Sequence, residues 1–587
     1  MDLDAALSEH FGFSAFRPGQ RDACAATLAG RDVLAVMPTG AGKSLCYQLP
    51  ALMRDELALV VSPLVSLMQD QVDALGALAP ERVALVNAQQ EPAVNRGALE
   101  RAVAGDLRLL YVAPERFSSP GFVERLAQAK IGLFVVDEAH CVSQWGHDFR
   151  PDYFRLADAA RYLGARSIFA STATATPQVA ADIVRRLGLR APTQITTGFD
   201  RPNLSFAVIP CRTKADKHRR LAAALREPDA LPAIVYAGTR AGCDALAPEL
   251  RDALGTEVIA YHAGLGREQR ASAQRRFMHG EAQVVVATNA FGMGVDKADV
   301  RTVCHATVPP SVEAYYQEAG RAGRDGEPAR CLLFAEQRDK GLHVFFIERA
   351  AIDESLFART FAALELRAEG DRYDLGVGDL TALAGCDDEQ ARSLIGHLAR
   401  AGVLQPAPSS TDRLRGRLLA PFDSRALAQC RTSAGDAQRS RWSQYRSVWA
   451  FVEGERCRRE SVLRHFGDRS TPRPSVACCD VCEPSLAPAP IEASMPAAAE
   501  GELDTAIVEL VAAARPAVGR TRAVEILRGG RSKVIQRHSY DGLPSYGTFS
   551  HLTNDEVLGR VDELLRGGAL RSTGGRFPKL AAAPVTS

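Results

Sequence analysis

The sequence predicts an α/β protein: two parallel-sheet domains in tandem, followed by helical modules. Three observations carry this. From about residue 30 to residue 330, short β-branched apolar runs alternate with helical stretches in two successive series. Beyond about residue 330 the chain turns Arg- and Ala-rich and helical, and four of its 13 cysteines crowd into positions 457–482. Two later segments, 388–404 and 555–570, then repeat one amphipathic pattern.

The first series includes Val33–Val36, Leu57–Val61, Leu109–Val112, 133–136 and 167–170. Runs this short and this apolar, bounded by Gly, Pro and Ser, read as buried parallel strands with helices on both faces. The second series begins at Ala233–Tyr236 and continues through 257–261, 283–287 and 301–305. Between the two lies Phe199-Asp-Arg-Pro-Asn-Leu204, where Pro and Asn break any regular element. Residues 484–500, rich in Ala and Pro, read as a linker. The two repeated segments each end in a Gly-containing turn, Arg400-Ala-Gly-Val-Leu and Arg566-Gly-Gly-Ala-Leu, followed by a strand-like run. A helix-turn-helix with a wing and a plain helical hairpin both fit that pattern.

A chain of 587 residues exceeds one ordinary core and implies three or four domains. With 46% hydrophobic and 24% charged residues, wholesale disorder and collagen-like or disulfide-framework classes are excluded. The N-terminus lacks a basic stretch leading into an apolar one, and no apolar run approaches the ~18 residues of a membrane span, so a cytoplasmic protein without membrane association is expected. The scattered cysteines suit reduced thiols, and the cluster suits a metal.

Strand Val33–Val36 runs directly into Met37-Pro-Thr-Gly-Ala-Gly-Lys-Ser44. A Gly-rich turn between strand and helix offers successive backbone N–H groups to phosphate oxygens. Thr39, Gly40, Ala41 and Gly42 form that turn, Lys43 reaches the β- and γ-phosphates, and the Ser44 hydroxyl suits Mg²⁺. The strict pattern has Gly where this chain has Met37, yet Gly40 and Gly42 still supply the turn. Downstream, an apolar strand ends in Asp137-Glu-Ala-His140. Asp137 is expected to complete the Mg²⁺ coordination and Glu138 to orient and deprotonate the attacking water; a lone acidic pair would otherwise read as a helix cap. In Tyr315-Tyr-Gln-Glu-Ala-Gly-Arg-Ala-Gly-Arg-Asp325, Arg321 and Arg324 are three apart and on a helix would share a face toward one phosphate. Supplied from the second domain, such an arginine finger ties ATP hydrolysis to closure of an interdomain cleft.

Taken together these motifs resemble the RecQ family of superfamily 2 DNA helicases, densely over residues 8–330 and more loosely to the C-terminus. The resemblance implies an α/β fold of two RecA-like domains, 1–200 and 201–340, then a helical linker with an inserted winged-helix-like segment, 341–435. A zinc-binding subdomain at 436–483, the linker at 484–500 and a winged-helix domain at 501–587 complete the expected order. Phe11-Gly-Phe-Ser-Ala-Phe-Arg-Pro-Gly-Gln20 resembles the family's adenine-recognition motif, which implies that Gln20 bonds the base while Phe13 and Arg17 pack on its faces. Ser62-Pro-Leu-Val-Ser-Leu67, Ala113-Pro-Glu115, Ser171-Thr-Ala-Thr-Ala-Thr176 and Val286-Ala-Thr-Asn-Ala-Phe-Gly-Met-Gly294 resemble motifs that grip the strand and link it to the nucleotide. The resemblance adds Gln317 to Lys43, Asp137, Glu138, Arg321 and Arg324 as catalytic residues.

The most family-specific stretch is Cys141-Val-Ser-Gln-Trp-Gly-His-Asp-Phe-Arg-Pro151. Trp145, Phe149 and Arg150 offer stacking planes and a cation to unpaired bases, and with Ser143 they are the expected DNA contacts. The Asp-Glu-Ala-His motif alone fits an RNA helicase equally well. Cys457-Arg-Arg-Glu-Ser-Val-Leu-Arg-His-Phe-Gly467 and Cys478-Cys-Asp-Val-Cys482 resemble the zinc subdomain, implying Zn²⁺ on Cys457, Cys478, Cys479 and Cys482. Val476 stands where the family has a cysteine, so His465 or Asp480 as a ligand, or a lost site, remain the alternatives. Zinc loss is expected to unfold this subdomain rather than stop the chemistry.

Thr521 to Gly529 and Tyr540-Asp-Gly-Leu-Pro-Ser-Tyr-Gly547 carry a likeness to the family's winged helix. Its wing holds Arg571, Gly574, Gly575, Arg576 and Lys579, with no aromatic residue at the Gly574-Gly575 tip. No C-terminal helical accessory domain is visible, whereas residues 365–435 read as an insertion, either a further DNA or protein contact or a spacer. The resemblance implies ATP- and Mg²⁺-dependent 3′ to 5′ unwinding in recombination, repair and the SOS response. Single-stranded and forked duplex DNA are the implied partners, with a single-stranded-DNA-binding protein as a further candidate. An RNA-directed enzyme and an ATP-switched scaffold are the competing readings. The formal net charge of +1 offers no sign of a polyanionic partner, but it sums unlike parts. Residues 431–482 hold 10 Lys+Arg against 6 Asp+Glu, and 501–587 hold 12 against 9, leaving the rest slightly acidic.

Overall fold

Each buried apolar run of the first series forms a strand covered on both faces. The computed structural model describes residues 2–582 apart from 64, 88–89, 119, 144–152, 154–155, 293–296, 408–412, 488–496, 531, 551, 553 and 574–577. It divides into one compact unit of residues 1–210 with 221–488 and another of 211–220 with 489–587.

The first sheet contains β1 (Val33–Val36), β2 (Leu57–Val61), β3 (Val83–Val86), β4 (Leu109–Val112), β5 (Ile131–Val136), β6 (Ser167–Thr172) and β7 (Thr193–Thr196). Its order is β3-β4-β2-β5-β6-β1-β7, and every neighbouring pair is parallel. All six residues of β5 are buried, as a strand sandwiched between helix layers requires. Parallel register places Val36 opposite Thr172 and Val136 opposite Ala170, so the residues following β1, β5 and β6 leave the sheet at the same edge. That edge, the carboxyl end of a parallel sheet, is where such folds bind ligands.

The second sheet contains β8 (Leu204–Cys211), β9 (Ala233–Tyr236), β10 (Val258–Tyr261), β11 (Val284–Ala287), β12 (Thr302–His305) and β13 (Ala329–Glu336), in the order β10-β11-β9-β12-β13-β8. One cluster of buried apolar residues is continuous through both sheets and the cysteine-bearing hairpin, joining Val136, Val303, Tyr316, Phe466 and Cys479.

The expected insertion is a module with its own core. Helices Glu354–Leu366, Val377–Ala384 and Asp388–Arg400 pack with an antiparallel sheet of β14 (Ala368–Glu369), β15 (Arg372–Gly376), β16 (Leu404–Ala407) and β17 (Arg413–Leu418). Phe357, Leu380, Leu394, Leu398 and Leu414 fill it. Helix Asp388–Arg400 starts in a capping box: Asp387 accepts from the Gln390 N–H at 2.9 Å, and the Gln390 side chain accepts from the Asp387 N–H at 3.2 Å. The order is helix, strand pair, two helices and a second strand pair, so the segment is more than a plain helical hairpin. The division expected at 435/436 falls inside the 30-residue helix Ser424–Glu453. Ala426 and Cys430 of that helix belong to the insert core, and Val448 and Phe451 to the larger one, so a single helix serves both.

In the C-terminal unit, helices Ala497–Ala513, Arg520–Leu527, Lys533–Arg537 and Asn554–Arg566 precede an antiparallel pair, β18 (Leu570–Ser572) and β19 (Leu580–Ala582). Leu503, Ile507, Leu527, Val557 and Val561 form its core. The wing tip with Gly574, Gly575 and Arg576 lies outside the described residues; Arg571 and Lys579 are exposed. Among the described residues no helix is long and apolar enough to cross a membrane.

Candidate nucleotide site and zinc centre

Between β1 and helix Leu45–Leu52 the chain turns through Gly40 at φ +83° and Gly42 at φ +76°, a region open to glycine and costly to other residues. A Cβ on Gly42 would lie 2.6 Å from Gln20 Nε2, so this glycine also admits the Gln20 side chain. Gln20 Nε2 donates to the carbonyls of Ala41 at 3.0 Å and Gly42 at 3.1 Å, while its Oε1 accepts from the Arg17 N–H at 2.8 Å. Arg17 Nη1 donates to the Gly40 carbonyl at 2.5 Å. Both side chains expected at the base thus grip the loop backbone itself.

The loop faces a cleft of about 530 Å³ lined from both α/β domains. Arg17, Thr39, Gly40, Gly42, Lys43, Ser44, Asp137 and Glu138 line one side, and Gln317, Arg321 and Arg324 the other. Phe13, Gln20 and Ala41 do not line it; Phe13 is 55% exposed, its ring stacked 6.3 Å from that of Phe11. Leu67, Asp70, Gln71 and Ala74 were not anticipated in this wall. They fall on one face of helix Val65–Leu78, a spacing that was readable in the sequence.

Asp137 ends β5 and is buried; the Ser171 hydroxyl donates to its Oδ1 at 2.8 Å. Burial, reinforced by the neighbouring Glu138 carboxylate, raises its pKa to about 6 against the opposing pull of the Ser171 bond and Lys43. Glu138 sits at φ +48°, a conformation costing a non-glycine residue about 1–3 kcal/mol. Next to it, His140 Nδ1 lies 2.9 Å from Thr172 Oγ1 and 3.3 Å from Glu138 Oε2. Asp137 and His140 are therefore both tied to the Ser171-Thr172 pair at the end of β6.

Arg321 and Arg324 do not share a helical face. Helix Val312–Ala319 stops at Gly320, and Gly323 at φ +54° turns the chain away, so both arginines sit in the turn beyond it. They reach the cleft nonetheless: Arg321 is 6% exposed and donates to the Gly292 carbonyl, and Arg324 passes beside Gly40. Ser143, expected at DNA, is fully buried, and its N–H donates to the His140 carbonyl at 3.0 Å. Trp145, Phe149 and Arg150 lie outside the described residues.

The reactive sulfurs of Cys457, Cys478, Cys479 and Cys482 all fall within 4.8 Å of one another. Cys457 Sγ is 3.6 Å from Cys478 Sγ and 3.8 Å from Cys479 Sγ. Tetrahedral Zn–S bonds of about 2.3 Å require sulfurs roughly 3.8 Å apart, so the four thiols fit zinc. Cys478 and Cys479 are not among the positive-φ residues, and adjacency imposes no such strain on them. The alternative ligands are committed elsewhere: His465 Nε2 pairs with Glu313 at 2.8 Å and Asp480 with Arg458 at 3.0 Å.

Comparison with known proteins agrees with this layout. A DEAD/DEAH box helicase model matches residues 17–183 and a helicase conserved C-terminal domain residues 216–326. A RecQ zinc-binding model matches 422–483 and an RQC domain 502–585. The chain is 39% identical over 400 residues to the probable ATP-dependent DNA helicase RecS of Bacillus subtilis, a match spanning 68% of this chain and 79% of RecS. The chain belongs to the RecQ family of helicases. It is 42% identical over 362 residues to the ATP-dependent DNA helicase RecQ of Pasteurella multocida, covering 62% of this chain and 56% of that one. With the RecQ of Bacillus subtilis it shares 42% identity over 352 residues, 59% of this chain and 58% of that protein. The chain thus spans little more than half the length of these two RecQ relatives. Membership of this family and the four clustered cysteines support ATP and Zn²⁺ as the cofactors.

Sequence reasoning also missed Arg201, in the junction between the sheets. Its Nη1 donates to the carbonyls of Thr39 at 3.2 Å and Gly320 at 3.1 Å, and its Nη2 to those of Ala322 and Gly323, each at 3.0 Å. Only the Pro and Asn that break regular structure marked this segment in the sequence.

Proposed function

We propose that this chain is a DNA helicase that translocates 3′ to 5′ on single-stranded DNA, hydrolysing ATP with Mg²⁺, and that it serves recombination, repair and the SOS response. The observation that carries the reading is the single cleft in which Lys43, Asp137 and Glu138 face Arg321 and Arg324 from the other domain. Hydrolysis there draws on groups from both domains, so nucleotide turnover opens and closes the cleft between them. Lys43 and the loop amides bind the phosphates, Glu138 takes a proton from the attacking water, and the arginines offset charge on the transferring group.

Mg²⁺ fits the donors present. Ser44 and Asp137 line the same wall and would hold the ion, whose charge would oppose the proton affinity that burial and Glu138 impose on Asp137. When bound, the ion neutralises the β- and γ-phosphate oxygens.

Single-stranded and forked DNA are the proposed substrates, with a single-stranded-DNA-binding protein as a proposed partner and the cytoplasm as the place of action. The location is supported by the nine cysteines outside the zinc cluster, which stand as free thiols. The inserted module is proposed as a further nucleic-acid contact, supported by Arg413, Arg415 and Arg417, which alternate with inward-facing Leu414 and Gly416 along β17. The test is ATPase activity measured with DNA and with RNA as activator. Stimulation by single-stranded DNA alone supports the proposal; stimulation by RNA alone rejects it.

A further inference from the structure

The junction holding Arg201 is clamped by the zinc-bearing hairpin. Arg459, almost fully buried, donates to Asp200 Oδ1 at 2.6 Å and to the Arg201 carbonyl at 2.7 Å. The Arg473 N–H donates to Asp200 Oδ2 at 2.8 Å, and the Phe199 N–H to Asp468 Oδ2 at 3.0 Å. The Phe199 ring stacks on Phe466 at 4.4 Å with planes 8° apart. The backbone that presents Arg201 is therefore held from outside the nucleotide cleft.

The shape of the Arg201 side chain sets its role at that position. A guanidinium is planar, always charged, and projects its donors in a fixed fork. Here the fork spans two domains, one contact on the Thr39 carbonyl of the phosphate loop and three on the carbonyls of Gly320, Ala322 and Gly323, which bracket Arg321 and lead into Arg324. Arg201 does not itself line the cleft. We infer that Arg201 is a positioning residue: it fixes the separation between the phosphate loop and the turn bearing Arg321 and Arg324, and so sets those arginines against the γ-phosphate. Lysine cannot replace it, because one ammonium with three donors on a flexible stem cannot bond all four carbonyls.

The inference rests on the proposed ATPase function, and the test separates the two. DNA-stimulated steady-state ATPase is measured for the full chain, Arg201→Lys, Arg201→Ala, Arg324→Ala and the Arg201→Ala/Arg324→Ala double variant, with zinc content and thermal unfolding as folding controls. Misplacement by about 1 Å costs on the order of a hundredfold, so kcat should fall by that order in Arg201→Ala, with KM for ATP within about threefold and only partial recovery in Arg201→Lys. Because Arg201 acts through the arginine turn, the loss in the double variant should fall well short of the product of the two single losses. Full activity in Arg201→Ala, or losses that multiply in the double variant, overturns the inference. If Arg201→Ala does not fold, Arg201→Lys decides: wild-type kcat in that variant overturns the inference, and a fall in kcat at unchanged KM supports it. Absence of DNA-stimulated turnover in the unmodified protein instead overturns the proposed function.

Discussion

His465 of the zinc hairpin and Glu313 at the start of the helix leading to the arginine turn form an ion pair at 2.8 Å. Burial alone would raise the Glu313 pKa, but the His465 hydrogen bond and charge outweigh it and hold the carboxyl below its usual range. The zinc hairpin is thus bonded to the helix that carries Gln317 and leads into the turn bearing Arg321.

Zinc removal should therefore reach the chemistry as well as the fold. The sequence alone suggested that losing the metal would unfold a subdomain and leave hydrolysis intact. With Phe466 stacked on Phe199 and Arg459 bonded to Asp200, hairpin and cleft are one packed body. Chelation should lower the thermal midpoint and DNA-stimulated ATPase in step with zinc content. His465→Ala should retain zinc and lose about 1–3 kcal/mol of stability from the unpartnered Glu313. Unchanged turnover in zinc-free protein would contradict this coupling.

Lys43→Ala and Glu138→Gln should separate binding from hydrolysis. Removing the Lys43 ammonium should weaken nucleotide binding and abolish turnover. Glu138→Gln removes the base while keeping its size, and losing a general base costs about 10²–10⁴-fold. Filter binding should then find nucleotide retained by the Gln variant alone. DNA-stimulated turnover near the wild-type rate in either variant rejects the assigned roles.

The sheet edge was legible in the sequence because Met37 to Ser44 and Asp137-Glu138 each succeed a buried apolar run, and parallel strands deliver the residues after them to one end. The zinc ligands were legible from thiol spacing. The features that were not legible depend on long-range packing. Arg201 looks like any loop cation until two domains bring four carbonyls to it. Gln20 carries a recognisable motif, yet its amide bonds to the Ala41 and Gly42 carbonyls depend on how the loop folds back over it. Spacing suggested a helical face for Arg321 and Arg324, and the positive φ of Gly323 overrides it.

The inserted module should weaken in mild acid. His397 Nδ1 lies 2.8 Å from Ser433 Oγ and Nε2 3.3 Å from Ser393 Oγ. Burial first, then Arg400 and Arg441, lower its pKa from 6.5 to about 4. A lowered histidine pKa means the unfolded chain takes up the proton first, so stability is complete above pH 6.5 and is lost as pH falls toward 4. From about pH 7.5 to about pH 5 the loss should be about 2 kcal/mol, read as faster hydrogen exchange in residues 388–400. In His397→Gln the slope over that window should vanish; if it persists, another group is responsible.

ATP turnover in the two-domain cleft is proposed to drive directional strand separation, and strand displacement on tailed duplexes reads that coupling without an intermediate step. The duplexes carry a 3′ or a 5′ single-stranded tail, and ATP and Mg²⁺ are supplied with the wild-type protein or Lys43→Ala. The 3′-tailed duplex should be displaced by the wild-type protein only, with no displacement when ATP is withheld. Robust DNA-stimulated ATPase with no displacement of either duplex, or displacement confined to the 5′-tailed one, would refute the coupling.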